Sequence, residues 1–197
     1  FNDDGAVTLN YDNSQKLATT SAGVSVTGNV SVSGDIIKTT AGTSNFAAGV
    51  NAGNSIQSGG NYNTVVGDNA GTALTTGDDN VAIGYDALKT EDTGGQSIAI
   101  GRLALSSQNN NSTNYNVAVG HTAGRFITTG VQNVLIGALA GDALTTGNSN
   151  VALGYQALTT NTASHRNTAV GEFSLMNMNI TSNTNAYNTA VGYSAGA

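Results

Sequence analysis

Asn80-Val81-Ala82-Ile83-Gly84-Tyr85-Asp86-Ala87 returns almost unchanged as Asn150-Val151-Ala152-Leu153-Gly154-Tyr155-Gln156-Ala157. The shared phrase is Asn, a variable residue, a small residue, an aliphatic, Gly, two variable residues, then Ala. It recurs from residue 45 onward, with its Gly at 49, 67, 84, 101, 120, 137, 154, 171 and 192. Successive differences are 18, 17, 17, 19, 17, 17, 17 and 21. The base period is therefore 17, and the extra residues collect in polar stretches before Tyr115 and Tyr187, where loops accept insertions. Self-similarity at a fixed short period is the mark of a solenoid. Five residues such as Asn-Val-Ala-Ile-Gly suit one short strand, a second short strand or bend follows at Ala-Leu or Ala-Gly, and Thr-Thr-Gly at 75–77, 128–130 and 145–147 suits the closing turn. The expectation is an all-β chain, a parallel β-solenoid with coils of about 17 residues. Nine coils at ~4.8 Å each make a rod on the order of 40 Å long.

Columns of equivalent residues assign the faces. The residue before the Gly is apolar in every copy and, except for Ala48, larger than Ala. This column is expected to line the interior. The next residue back is mostly Ala, as expected where another surface approaches closely. Three after the Gly stands Ala, with Ser174 the one replacement.

Four after the Gly, the residues are Gly53, Gly71, Leu88, Leu105, Gly124, Gly141, Leu158, Leu175 and Gly196. Seven after it, they are Ile56, Leu74, Glu91, Gln108, Ile127, Leu144, Asn161 and Met178. Leu in one column accompanies a polar residue in the other, Met178 excepted. One large aliphatic per coil, drawn from either of two places, is what close packing demands. The Asn column, interrupted by Ser97, reads as a stacked structural ladder, since Asn tolerates left-handed backbone and bonds neighbouring backbone.

Composition narrows the function. Charged residues are 9% of the chain, against roughly 25% in ordinary domains, and the formal net charge is -6. A weakly charged, acidic surface argues against nucleic acid and anionic lipid as partners. With no Cys there are no disulfides or thiolate metal sites. No apolar run approaches the ~20 residues of a membrane-spanning helix. The chain starts at Phe1 and closes on a shortened repeat, which reads as a piece of something longer.

Residues 1–44 lack the phrase and form a separate small β unit or neck, followed by a nine-copy repeat domain over 45–197. Val7, Leu9 and Tyr11 alternate with polar residues before a turn at Asp12-Asn13-Ser14, and Val24, Val26, Val30 and Val32 alternate around Gly28-Asn29. Both are strand signals.

The Asn-x-Ala-[Ile/Val]-Gly-x-x-Ala phrase resembles the head repeats of trimeric autotransporter adhesins. With its 17-residue spacing and its Leu-Thr-Thr-Gly turns at 74–77 and 144–147, it is still more similar to repeats in tail fibres of tailed bacteriophages. The opening Asp-Gly-Ala-Val-Thr-Leu-Asn-Tyr-Asp-Asn-Ser-Gln-Lys-Leu-Ala-Thr-Thr, followed by Gly-Val-Ser-Val-Thr-Gly, is similar to segments that precede such repeats. The resemblance implies a left-handed parallel β-roll in each subunit, a homotrimer of rolls packed side by side, and attachment to a host cell surface from a virion tail among other tail proteins. A bacterial trimeric surface adhesin, on the cell surface, is the alternative. An ice-binding solenoid ranks lower, because the Thr-Thr pairs do not recur in every coil. A polysaccharide-cleaving tailspike lacks the acidic cluster it requires.

No enzymatic residues stand out, and no cofactor or metal is expected. His121 follows a phrase Gly, His165 lies in a polar turn, and neither has a Ser or carboxylate partner at a recognisable spacing. Asp78-Asp79 and Glu91-Asp92 read as solvated turn carboxylates, with calcium the lesser reading. The six Tyr of the repeat region fall in two columns: Tyr85, Tyr155 and Tyr193 after the phrase Gly, and Tyr62, Tyr115 and Tyr187 before the phrase Asn. With His121 they are candidate receptor contacts, aligned to stack on glycan rings; the alternative is that they cover the rim or the contact between subunits. The inserted loops near Asn109–Asn114 and Asn179–Ala186 are the other candidates. Trimerisation is expected from the Ala columns, which invite close approach, and from the thinness of the coil.

Overall fold

The computed structural model describes residues 8–11, 14–20, 23–26 and 41–197. The chain divides into two compact units, Phe1–Ile36 and Ile37–Ala197. In the first, β1 (Thr8–Tyr11), β2 (Ser14–Thr20) and β3 (Gly23–Val26) form an antiparallel meander in the order β1-β2-β3. Leu9 pairs with Leu17, and Leu17 with Val26. The strand over Ser14–Thr20 was not anticipated, and the alternation at Val30 and Val32 lies outside the described residues.

The second unit is a parallel β-solenoid. Its strands have three residues each: β4 (Phe46–Ala48), β5 (Thr64–Val66), β6 (Val81–Ile83), β7 (Ile98–Ile100), β8 (Val117–Val119), β9 (Val134–Ile136), β10 (Val151–Leu153), β11 (Thr168–Val170) and β12 (Thr189–Val191). They stack in chain order into one nine-stranded sheet. The register places every phrase on the next, Ala82 against Ala99 and Ile83 against Ile100. Of the second strand or bend expected at Ala-Leu or Ala-Gly, the bend is what forms; the rest of each coil is turns, bonded from coil to coil through the backbone, as in Gly71 N–H to Ala87 C=O at 2.9 Å. Among the described residues there is no helix.

The strand faces are the reverse of the expectation. In every one of β4–β12 the middle residue is buried and its two neighbours are not. The Ala column therefore lines the coil interior, with Val65 and Leu135 the two larger members, each packed where the turn carries Gly. The larger aliphatics before the Gly point outward. The second Ala column, from Ala52 to Ala157, is fully buried as well. Both Ala columns are core of a single chain and supply no surface for a partner to approach.

The rest of the interior comes from the turns, and the expected volume exchange holds there. Leu74, Leu88, Leu105, Ile127, Leu144 and Leu158 are fully buried. Each contributes roughly 1.5–3 kcal/mol. At Gly141, a Cβ would lie 2.7 Å from Leu135 Cδ2 and 2.9 Å from Leu144 Cδ1, so the seventh residue fills what a side chain on the fourth would occupy. The phrase Gly has a different reason. Gly84 has φ of 126°, and its Cβ would stand 2.7 Å from the carbonyl of Gly101 in the next coil.

The Asn ladder forms beside this core. Asn63 Oδ1 accepts from the backbone N–H of Asn80 at 3.0 Å, and Asn63 Nδ2 donates to the carbonyl of Gly77 at 2.8 Å. The same pair of bonds recurs at Asn133 with Asn150 and Gly147. The left-handed backbone expected of Asn sits one residue earlier, on Tyr62, Asp79, Gln96, Tyr115, Gln132, Ser149, Arg166 and Tyr187, with φ from 53° to 60° for all but Gln96 at 61°.

A longer repeat overlies the coils. Gly71–Gly101 and Gly141–Gly171 share Ala-Leu-Thr-Thr-Gly, Asn-Val-Ala and Gly-Tyr-x-Ala-Leu at matching positions, and the Gly/Leu column cycles as two Gly, then two Leu. Coils thus come in fours, and each set closes with an inserted loop.

Candidate functional site

The outward side chains of β4–β12 form one face with two columns. The first runs from Phe46 through Val81, Ile98, Val117, Val134 and Val151; the second from Val66 through Ile83, Ile100, Val119, Ile136, Leu153 and Val170 to Val191. Thr64, Thr168 and Thr189 supply the hydroxyls of this face, which carries no charge. Ile98, Ile136, Leu153 and Val191 are exposed, Leu153 to 44%. Nine strands at ~4.8 Å and three residues at ~3.3 Å give a flat apolar area on the order of 400 Å² in projection. A continuous apolar patch of this size is the candidate interaction surface of the chain.

The tyrosines border that face. Tyr62, Tyr115 and Tyr187 stand on the edge before the strands, Tyr85, Tyr155 and Tyr193 on the edge after them, and all six are exposed. Their neighbours differ. Tyr155 and Tyr193 pack edge-on against Phe173, with ring centres 5.6 and 5.8 Å apart. Arg102 lies 5.7 Å from the centre of the Tyr85 ring, and its Nη1 is 3.3 Å from His121 Nε2. Arg166 covers the Tyr187 ring at 5.6 Å and donates to Asn185. The structure thus brings Tyr85 near His121 through Arg102, and keeps the two tyrosine columns on opposite edges.

Two shallow polar grooves lie on the edge before the strands, at equivalent places in the two sets of four coils. The first, about 260 Å³, is lined by Thr76, Asp78, Asp79, Gln96, Ser112 and Thr113 among others. The second, about 420 Å³, is lined by Gln132, Asn148, Ser149, His165, Arg166 and Asn185 among others. Inserted loops roof both, through the matching bridges Gly95 to Thr113 and His165 to Asn185. His165 Nδ1 accepts from the backbone N–H of Asn148 at 2.8 Å.

Glu91 is not a solvated turn carboxylate. It is fully buried. Its Oε1 accepts from the backbone N–H of Gly94 at 2.9 Å and of Asn110 at 3.3 Å. Its Oε2 accepts from Gln108 Nε2 and Asn114 Nδ2, both at 3.0 Å. Gln108 also donates to Ser97 Oγ at 2.9 Å and accepts from Asn116 Nδ2 at 2.8 Å, spanning the place where Ser interrupts the Asn ladder. Burial pushes the Glu91 carboxyl above its ordinary range despite the bonds from Gln108, Gly94 and Asn110. Asn114 Oδ1 is, among the described residues, the buried side-chain polar atom without a partner. At Asp86, burial acts the same way, but Lys89 at 2.8 Å and Asn69, with the Lys89 and Arg102 charges, outweigh it and hold the carboxyl below its ordinary range.

Among the described residues, no group of three or more His, Asp or Glu side chains is placed to hold a metal ion, and no helix is long and apolar enough to cross a membrane. Sequence reasoning missed the outward face because it assigned the larger aliphatics to the interior. It missed the Glu91 network, whose signal was the coincidence of Ser97 in the ladder with Glu91 and Gln108 in the core columns. Compared with family models, with curated proteins and with solved structures, the chain has no match.

Proposed function

We propose that this chain is a structural and adhesive segment of an extended fibre, assembled from three left-handed rolls and used by a phage tail to attach to a host cell. The observation that carries the reading is the uncharged aliphatic face of β4–β12. A lone chain keeps that face in water; three chains, each turning it toward a common axis, bury it. This replaces the Ala columns as the basis for trimerisation. No catalytic role is proposed for the chain. The low density of charge fits a partner that is neither nucleic acid nor membrane.

Receptor contact falls to the inserted loops 109–114 and 179–186 and to what remains open of the tyrosine columns with His121. Stacking on glycan rings and closure of the seams between subunits are the two roles open to the tyrosines. Iodination of the assembled protein separates them: modified tyrosines are available to a receptor, protected ones belong to seams. An ice-binding role is disfavoured, since Thr64, Thr168 and Thr189 make no regular array on the face.

Immunogold labelling with antibody to residues 45–197 tests the location. Label on virion tails supports the reading. Label on bacterial envelopes transfers it to a trimeric surface adhesin, and label confined to cell interiors contradicts both.

A further inference from the structure

The two sets of four coils carry a charge reversal that the fold of one chain does not require. On the edge before the strands, Asp79 and Gln96 of the first set correspond to Ser149 and Arg166 of the second. Asp78, in the groove beside them, corresponds to Asn148. This edge changes from acidic to basic. On the edge after the strands, Arg102 corresponds to Glu172, a change in the opposite sense, while Asp68 corresponds to the neutral Ala138. Asp79, Arg166, Arg102 and Glu172 are all exposed, and their replacement leaves the shared core phrases intact.

Within the chain the two edges do not meet. Arg166 and Glu172 are six residues apart with β11 between them, up to ~20 Å of extended backbone. The ion pair formed among the described residues is Lys89 with Asp86. Arg166 instead contacts Asn185 and Tyr187. Arg166 and Glu172 stand on opposite edges of one coil with no ionic partner in their own chain among the described residues, and contact between copies brings them together, because the edge before the strands in one copy then lies against the edge after them in the next.

Symmetry fixes the register. A closed ring of three parallel chains has rotation and no translation along its axis, so each coil meets the same-numbered coil of its neighbour. In that register Arg166 of one chain faces Glu172 of the next. Tyr62 faces Asp68, Tyr85 faces Asp79 and Tyr115 faces His121, and no coil sets like charges opposite. One coil away, Asp79 lies between Arg102 on one side and Asp68 on the other. Complementary charge of this kind sets register and excludes wrong partners more than it adds affinity.

We infer that the subunits meet edge to edge in register, with the second copy of this chain supplying the counter-charge: Glu172 of the neighbour to Arg166. This rests on the trimeric reading above. It also assigns the tyrosines beside these pairs to the seams and leaves receptor contact to the inserted loops.

The chain has no native Cys, so a double variant Arg166→Cys with Glu172→Cys tests the seam cleanly. Mild oxidation is expected to convert most of the protein to a covalent trimer on a denaturing gel, reversed by reductant. A second double variant, Asp79→Cys with Arg166→Cys, reports the antiparallel pairing that would also match acidic to basic edges. A particle of trimeric mass with no Arg166→Cys/Glu172→Cys cross-link, or with covalent dimers from the second variant, overturns the register. A folded monomer overturns the trimeric reading itself. In a charge series, Arg166→Glu is expected to lower the salt tolerance of the assembly, and Glu172→Arg in the same chain to restore it; loss without restoration argues against the pair.

Discussion

The two sets of four coils share a framework and differ in how they hold their inserted loops. In the first, Glu91 reaches from the core to the loop and accepts from Asn110 N–H and Asn114 Nδ2. In the second, the equivalent Asn161 turns to its own coil, accepting from the Ser164 N–H at 3.1 Å and donating to Ser164 Oγ. Met178 stands where Gln108 does, and accepts a contact from Asn188 Nδ2 at 3.0 Å. One loop is pinned by a buried carboxyl; residues 181–185 of the other are exposed and are tied to Arg166 and His165 at its end. The lesson is that a solenoid coil has one variable core place, and what occupies it decides whether an insertion is part of the core or an appendage.

The outward face, by contrast, is uncharged and mostly aliphatic in both sets. Ile100→Glu in the first and Val170→Glu in the second are therefore expected to act alike, converting trimer to folded monomer. Sedimentation beside circular dichroism checks this, and unequal effects would show that the two halves assemble differently.

At the variable place the halves should part. Glu91→Ala strands four donors and is expected to cost about 3 kcal/mol or more, with rapid hydrogen exchange over residues 109–114. Asn161→Ala removes bonds within one turn and should cost about 1–2 kcal/mol, leaving exchange over residues 179–186 as it was. Urea melts and exchange rates give both numbers; equal costs would erase the distinction.

The Gly/Leu exchange is the next smaller effect. Gly141→Leu should destabilise by about 1–3 kcal/mol through crowding against Leu135 and Leu144. Adding Leu135→Ala and Leu144→Asn copies the coil of Ala152, Leu158 and Asn161 and should recover most of the loss. Left-handed backbone is no obstacle, since Leu88, Leu105, Leu158 and Leu175 already adopt it.

The smallest effect is a dependence on pH confined to the first set. The folded protein binds a proton at Glu91 more tightly than the unfolded chain does. Stability relative to Glu91→Gln should therefore rise as pH falls through the raised carboxyl value, and level off below 4.5, its ordinary value. A stability difference that grows with rising pH supports this, and a flat difference contradicts it.

Period, Asn ladder, Gly/Leu exchange and the coil count were legible in the sequence because each is a column property, repeated until chance is excluded. The facing of the strand was not. Both Ala82 and Ile83 belong to apolar columns, and size alone suggested that Ile goes inside. The pleat, not size, decides: the middle strand position faces inward, as Ala in most coils and as Val65 and Leu135 in two, and the aliphatics on either side of it are left outside. The tyrosine columns were legible as columns, and both receptor contact and cover for the rim or the contact between subunits were open to them; the sequence did not place them on the two borders of an aliphatic face.

The most direct test of the central claim, that the aliphatic face of β4–β12 is covered by two further copies, is the solution mass of the protein by light scattering. A folded particle of three times 19.7 kDa is expected. A stable, folded particle of 19.7 kDa, with that face open to water, would contradict it.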